Sequence, residues 1–347
     1  MTSGYLRKNR MKRVLFLLLI IVVGFGCIKK NTTEKHQNTR NNKVDMHISV
    51  KEICTNDILI GNIARLYTID DYLFILDADS KKNLLHIFDI HNFKYIASGI
   101  RKGRGPGEIT NVGSFVCDES HHKFLLPDYG KNTIFEYDLN KFLANPDNYT
   151  PKAKINLSKK QFPSRLQYLN DSIYIGTIIT PTGNSGYNQS IAKWNINTGE
   201  FIPQPYEHSE IQKKRILFAA SEKENLYVEA YQRYDLLTIC DLDGNLKWNV
   251  YGPEWSTTLN ANTPHFFGKP SFCNGKIVVA YSGGDYHDQD AYYPTMFHIF
   301  DLEGNYLKTL DVGYKISDYC YDAENNRLIM ALNDVIQFAY LDLDGII

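Results

Sequence analysis

Hydrophobic and polar positions along this chain repeat as one phrase: an apolar strand, an Asp or Asn, one more apolar residue, and often Gly soon after. The phrase reads His86-Ile87-Phe88-Asp89-Ile90, then Phe135-Glu136-Tyr137-Asp138-Leu139, then Lys193-Trp194-Asn195-Ile196-Asn197-Thr198-Gly199. It returns as Ile239-Cys240-Asp241-Leu242-Asp243-Gly244, as Ile299-Phe300-Asp301-Leu302-Glu303-Gly304, and as Tyr340-Leu341-Asp342-Leu343-Asp344-Gly345. The polar positions 89, 138, 195, 241, 301 and 342 stand about 40 to 60 residues apart, the interval of four-stranded propeller blades. Six recurrences predict an all-β chain folded as a six-bladed β-propeller.

Blade 4 shows the grammar within one repeat. Residues 217–220 read as a first strand, 221–225 as a polar turn, and 226–230 as a second strand of alternating character. Residues 236–240 read as a third strand, 241–245 as a turn rich in Asp, Gly and Asn, and 246–250 as a fourth. Blades 1, 2, 5 and 6 fit the same pattern, while blade 3 is looser but keeps Asn170-Asp171 before Ile173-Tyr174-Ile175. The Asp or Asn after each third strand is expected to accept backbone N–H bonds and fix the turn. The last phrase lies just before Ile346-Ile347, so blade 6 lacks a fourth strand of its own. The alternating segment Met46-His47-Ile48-Ser49-Val50 is expected to supply that strand and close the ring.

The N-terminal stretch reads as an address. Lys12 and Arg13 precede an apolar run, 14–23, that ends in Gly24-Phe25-Gly26-Cys27. That run is shorter than the roughly 20 residues of a membrane span and matches the apolar core of an export signal. Cys27 after Gly26 resembles a bacterial lipoprotein signal, which implies lipidation of Cys27 and a membrane anchor. Residues 28–45 are almost wholly polar and are expected to form a disordered tether, leaving 46–347 as the propeller. Lys29 and Lys30 stand where surface-exported lipoproteins carry acids, which favours the periplasmic side of the outer membrane.

Net charge is −1, with no basic run beyond the signal, which argues against nucleic-acid binding. Beyond Cys27 stand Cys54, Cys117, Cys240, Cys273 and Cys320. Cys117, Cys273 and Cys320 end first strands of different blades, too far apart for disulfides, and are expected to be small buried residues.

Between blades 1 and 2 lies Ile100-Arg101-Lys102-Gly103-Arg104-Gly105-Pro106-Gly107-Glu108. Its glycines match neither a Walker loop nor a dinucleotide fingerprint. The segment 100–118 instead resembles the linker of NHL-type propellers, with Ile109 where that pattern has Phe. With the export signal, the chain resembles the six-bladed β-propeller lipoproteins common in Bacteroidetes. That resemblance implies fold and location and supplies no catalytic residue.

Binding is expected on the face that carries the loops between second and third strands and the crossings between blades. The candidates there are Arg101, Lys102, Arg104 and Glu108 in the glycine linker, and Tyr187 and Asn188 in a long blade 3 loop, 177–189. Tyr231, Arg233 and Tyr234 in blade 4 join them, as do Tyr286, His287, Tyr292 and Tyr293 in the blade 5 loop, 281–294. Asp285, Asp288 and Asp290 offer oxygens for a possible Ca²⁺. Six-bladed lactonases are similar in fold and hold Ca²⁺ in the central channel, but the first strands here, such as 64–68 and 115–117, read as mainly apolar. No Gly-x-Ser-x-Gly or His-Glu-x-x-His motif occurs. The leading expectation is a non-catalytic envelope protein that binds a protein or glycan partner through its loop face. A Ca²⁺-dependent lactonase or other hydrolase, and a structural scaffold, are the alternatives.

Overall fold

The computed structural model describes residues 33–55 and 58–347, so the expected export signal and the expected lipidation site, Cys27, lie outside the described residues. Residues 34–347 form one compact unit made of six antiparallel sheets in chain order. The first strands of the blades are Ala64–Ile69, Val116–Asp118, Phe162–Tyr168, Ile216–Ser221, His265–Cys273 and Ile316–Asp322. First strands of neighbouring blades touch one another around the ring, so they line a central channel. Blade 4 follows its predicted grammar closely, with strands Ile216–Ser221, Leu226–Tyr231, Leu236–Asp241 and Leu246–Tyr251.

Six apolar clusters among the described residues fill the six wedges between neighbouring blades. Each middle strand serves two wedges. In Tyr72–Asp77, Phe74 and Leu76 face blade 2 while Leu73 and Ile75 face blade 6. Burial on both faces explains why these strands read as continuous apolar runs. Cys273 and Cys320 are buried in such wedges, whereas Cys117 is half-buried.

The recurrent Asp or Asn does the expected work in five turns. Asp89 Oδ1 accepts from His91 and Asn92, Asn195 Oδ1 from Asn197 and Thr198, and Asp241 Oδ1 from Asp243 and Asn245. Asp301 Oδ1 accepts from Asn305, and Asp138 caps the helix Leu139–Ala144 by accepting from Lys141. Asp342 instead pairs with Lys51 at 2.8 Å.

Ring closure differs from expectation in register. The strand that completes blade 6 is Lys51–Glu52, opposite Tyr340 and Ala339, not residues 46–50. His47–Ser49 form a 3₁₀ turn, and Met46 enters the wedge between blades 5 and 6.

The expected disordered tether is also corrected from Glu34 onward. Glu34–His36 adds a fifth, parallel strand outside Leu246–Tyr251 of blade 4, and Lys43–Asp45 does the same outside Tyr306–Asp311 of blade 5. Backbone pairing does not require apolar side chains, so a polar composition did not forbid order here. Polar side chains then fix the strap. Glu34 takes bonds from Asn249 Nδ2 and Tyr251 Oη, and His36 stacks on Tyr251 with ring centres 4.5 Å apart. Arg40 Nη1 lies 2.7 Å from Asp235 Oδ1, with side chains 5% and 0% exposed. Its guanidinium also covers the rings of Phe267 and Phe300 at 5.4 and 5.5 Å.

Replacing Arg40 by Ala leaves Asp235 buried without its cation, a loss of about 3–5 kcal/mol. Urea unfolding should show that drop, with faster hydrogen exchange at 34–45; an unchanged midpoint would refute the clamp.

His298 lies buried under Tyr281, ring centres 3.9 Å apart, with Nδ1 2.9 Å from Thr309 Oγ1. Burial, then the neighbouring Arg40 cation, holds its imidazole well below its ordinary 6.5. The unfolded chain therefore binds a proton near pH 6.5 that the folded chain does not. The contribution is intact above that pH and lost as pH falls below it. Urea midpoints at pH 7.5 and 5.5 should differ in this direction, and His298→Gln should narrow the gap.

Candidate functional site

The loop face is held by carboxylates that the sequence pattern did not single out. Asp77 and Asp128 end second strands, Asp235 directly precedes the third strand of blade 4, and all three are buried. Asp128 accepts backbone N–H bonds from Thr110, Asn111, Gly130 and Lys131 at 2.8–3.2 Å, tying the incoming linker to its own loop. Asp77 binds Gly61, Asp79 and Ser80 in the same manner. Their signal is a lone Asp at the end of an apolar strand, as in Leu76-Asp77 and Pro127-Asp128.

The glycine linker is a self-tied structure. Glu108 Oε2 accepts from Gly105 N at 2.7 Å, and Lys131 Nζ binds the carbonyls of Gly105 and Glu108. A Cβ on Gly103 would lie 2.1 Å from the Glu108 carboxylate, so a larger residue there would displace Glu108 from its bond to Gly105. Lys102 Nζ binds the Ala78 carbonyl at 3.2 Å. Glu108 and Lys102 thus serve the loop itself, while Arg101 and Arg104 are exposed.

Two further candidates prove internal. Tyr231 is fully buried and donates to Glu229 Oε2 at 2.8 Å; Glu229, also fully buried, is paired with Lys214 at 3.0 Å. Tyr234 is 7% exposed and packs against Tyr231 and Trp255. A Tyr at a strand end serves a core as readily as a surface. The long blade 3 loop is in fact an extended hairpin, Ile173–Gly183 with Gly186–Asn195, turned by Asn184 and Ser185 at φ 48° and 60°. Tyr187 and Asn188 therefore sit on a strand, and Asn188 is exposed.

The three blade 5 aspartates are not brought to one point. Asp285 accepts from His287 N, Asp288 from Asp290 N, and Asp290 pairs with Lys315 at 2.7 Å. Among the described residues, the group with metal-ligand spacing is Asp71, His91 and Glu324, all exposed and borne by turns remote from the loop face.

What the structure does assemble is a ring stack at the channel mouth. The Arg233 guanidinium lies over Tyr286 at 3.8 Å, Tyr286 stacks on His265 at 4.7 Å, and His265 meets Tyr292 at 4.2 Å. Tyr292 is 58% exposed. Burial, then Arg233, holds the His265 imidazole below its ordinary value, so it is neutral at pH 7. His265 Nε2 and Arg233 Nε are buried without a partner among the described residues. Nearby, Arg215 covers Tyr187 at 3.8 Å and binds its carbonyl. His287 and Tyr293 flank this stack on the same loop.

Below the stack opens a pocket of about 140 Å³, lined by His265, Tyr292, Gln232, Arg165, Lys269 and Asp318 among others. Its wall mixes these polar groups with apolar side chains such as Leu217, Phe266 and Ile316, so the expected apolar first strands also carry charge. Lys269 Nζ lies 3.1 Å from Asp318 Oδ1 and 5.8 Å from the Tyr67 ring. Burial pushes the Tyr129 phenol up to about 12.

Residues 32–151 match a family model, DUF5128, described as a 6-bladed β-propeller. No curated protein matches the sequence. A protein of Bacteroides fragilis described as exported shares the fold at TM-score 0.55 and 10% identity, over 89% of this chain and 98% of that one. A DUF4221 family member from Bacteroides vulgatus does so at TM-score 0.58 and 12% identity, over 84% and 95%. A luciferin-regenerating enzyme shares it at TM-score 0.53 and 10% identity, over 84% and 94%. Family and fold agree on a six-bladed propeller.

The placements separate core from rim experimentally. Tyr231→Ala should cost about 3–5 kcal/mol in chemical denaturation, whereas Tyr292→Ala should stay within about 0.5 kcal/mol. Equal losses would contradict the two placements.

Proposed function

We propose that the protein is a non-catalytic propeller of the bacterial envelope that binds an oligosaccharide across the mouth of its channel. The carrying observation is the Arg233–Tyr286–His265–Tyr292 stack beside a pocket of mixed polar and apolar lining. A sugar ring offers an apolar C–H face to an aromatic ring and hydroxyls to the polar groups around it. Concave sites that combine ring faces with a few convergent polar groups recognise small ligands in this way. The exposed Tyr292 ring presents the apolar surface that such a sugar face would meet.

The export signal and the fold shared with an exported Bacteroides fragilis protein support the envelope location. Lipidation at Cys27 would anchor the chain. Cys27 stands 7 residues before Glu34, a reach of at most about 25 Å.

Calorimetric titration with envelope oligosaccharides tests the reading. Tyr292→Ala and Tyr286→Ala should each weaken binding about tenfold, equivalent to about 1.4 kcal/mol. Chelator-sensitive lactone turnover would replace this reading with the hydrolase. Retained glycan affinity in both variants would move the site off this stack.

A further inference from the structure

Away from the loop face, three metal-ligand side chains meet across the seam where the ring closes. Asp71 stands in the turn between Ile69 and Tyr72, and His91 in the turn after Asp89, both in blade 1. Glu324 stands in the turn after Asp322 of blade 6. His91 Nε2 lies 3.4 Å from Asp71 Oδ1 and 3.9 Å from Glu324 Oε2, and all three donor atoms lie within 4.8 Å of one another. These separations are too long for good hydrogen bonds, which close to about 2.7–3.2 Å. They fit the edges of a coordination shell instead. Two bonds of about 2.0–2.1 Å at a tetrahedral angle hold their donor atoms about 3.4 Å apart. Glu324 is 66% exposed and free to close the remainder.

The donors are exposed, but the turns that carry them are fixed. Within blade 1, the Ile90 N–H donates to the Asp71 carbonyl at 2.9 Å, and Asp89 Oδ1 accepts from the His91 N–H at 2.9 Å. Across the seam one guanidinium makes the join. Arg327 donates from Nε to Asp322 Oδ2 at 2.8 Å and from Nη2 to the Ile90 carbonyl. Asp322 Oδ1 accepts from the Asn325 N–H at 3.1 Å, which sets the turn that holds Glu324. Arg327 and Asp322 are buried, and the guanidinium lies 4.5 Å from the Phe93 ring centre and 5.0 Å from that of Tyr340. The backbone beneath Asp71, His91 and Glu324 is therefore held in one register by groups that are not themselves donors. Such a supporting shell is what orients the ligands of a metal site.

We propose that Asp71, His91 and Glu324 bind a divalent transition ion of the zinc class, which staples blade 1 to blade 6 at the closing seam. One imidazole and two carboxylates suit such an ion, with water in the fourth position. Ca²⁺ and Mg²⁺ are not favoured, because they prefer six or more oxygen ligands. The role is structural. Two donors belong to the first blade and one to the last, so coordination cross-links a closure that otherwise rests on the two-residue strand Lys51–Glu52. The site is independent of the saccharide reading.

The test uses the purified full chain, stripped with chelator and titrated with Zn²⁺, with Ca²⁺ as the comparison. Zn²⁺ should raise the thermal midpoint, increasingly with its concentration, where Ca²⁺ does not. In calorimetric titration, His91→Asn and Glu324→Gln should each weaken Zn²⁺ binding at least tenfold. Both side chains are exposed, so without zinc each variant should melt as the parent does. Hydrogen exchange at residues 51–53 and 339–340 should slow with Zn²⁺ in the parent and not in the variants. Unchanged Zn²⁺ affinity in both variants would mean an adventitious ion only and would overturn the site, as would no binding by the parent. Equal midpoint shifts from Ca²⁺ and Zn²⁺ would overturn the class of ion. Zinc bound through these residues without slower exchange at the seam would overturn the staple.

Discussion

Closure of the ring is the constraint on which the other features depend. A propeller keeps its channel only while the first and last blades stay in contact, and here that contact rests on a two-residue strand, Lys51–Glu52, laid against Tyr340 and Ala339. The Ile53 N–H adds a bond to the Phe338 carbonyl at 2.8 Å. The exposed Lys51–Asp342 pair contributes little. Closure instead draws on packing behind the strand, where Ile53, Leu66 and Ile329 share the wedge between blades 6 and 1. If that wedge opened, Asp318 of blade 6 would lose the Leu66 N–H of blade 1.

The strap extends the same solution outward. After pairing beside blade 4 it crosses to blade 5, and Arg40 fastens the crossing by an ion pair, two aromatic faces and a bond from Nε to Gln37. A lysine could satisfy the Asp235 carboxylate but not the flat contacts with Phe267 and Phe300, so the position is specific for arginine. A buried ion pair of this kind adds less net stability than it adds specificity, because desolvation offsets most of the attraction. Its effect is to fix where the strap crosses from blade 4 to blade 5.

The blade count was legible because two independent signals coincide at each third strand. The middle strands are apolar on both faces, and the Asp or Asn that follows has a local chemical task. The channel was not legible, because only alternate residues of a first strand face it. In Ala64-Arg65-Leu66-Tyr67-Thr68, Ala64 and Leu66 are wedge residues, and their hydrophobicity masks Arg65 and Tyr67. The strap escaped notice for the opposite reason, since backbone pairing leaves almost no hydrophobic trace. Tyr231 and Tyr234 were drawn to the binding face by position alone; Tyr231 is held by Glu229 on its own strand, and Tyr234 is covered by Trp255 from beyond the fourth strand.

Division of labour between wedges and channel bears directly on function. Core energy lies in six apolar clusters between blades, none of which includes Arg65, Arg165, Lys269 or Tyr292. Charge on the axis can therefore vary without dismantling the fold, within the limit set by mutual repulsion. The histidine and the exposed tyrosine at the mouth also sit outside that core, so the stack is free to meet a ligand that offers it an apolar sugar face.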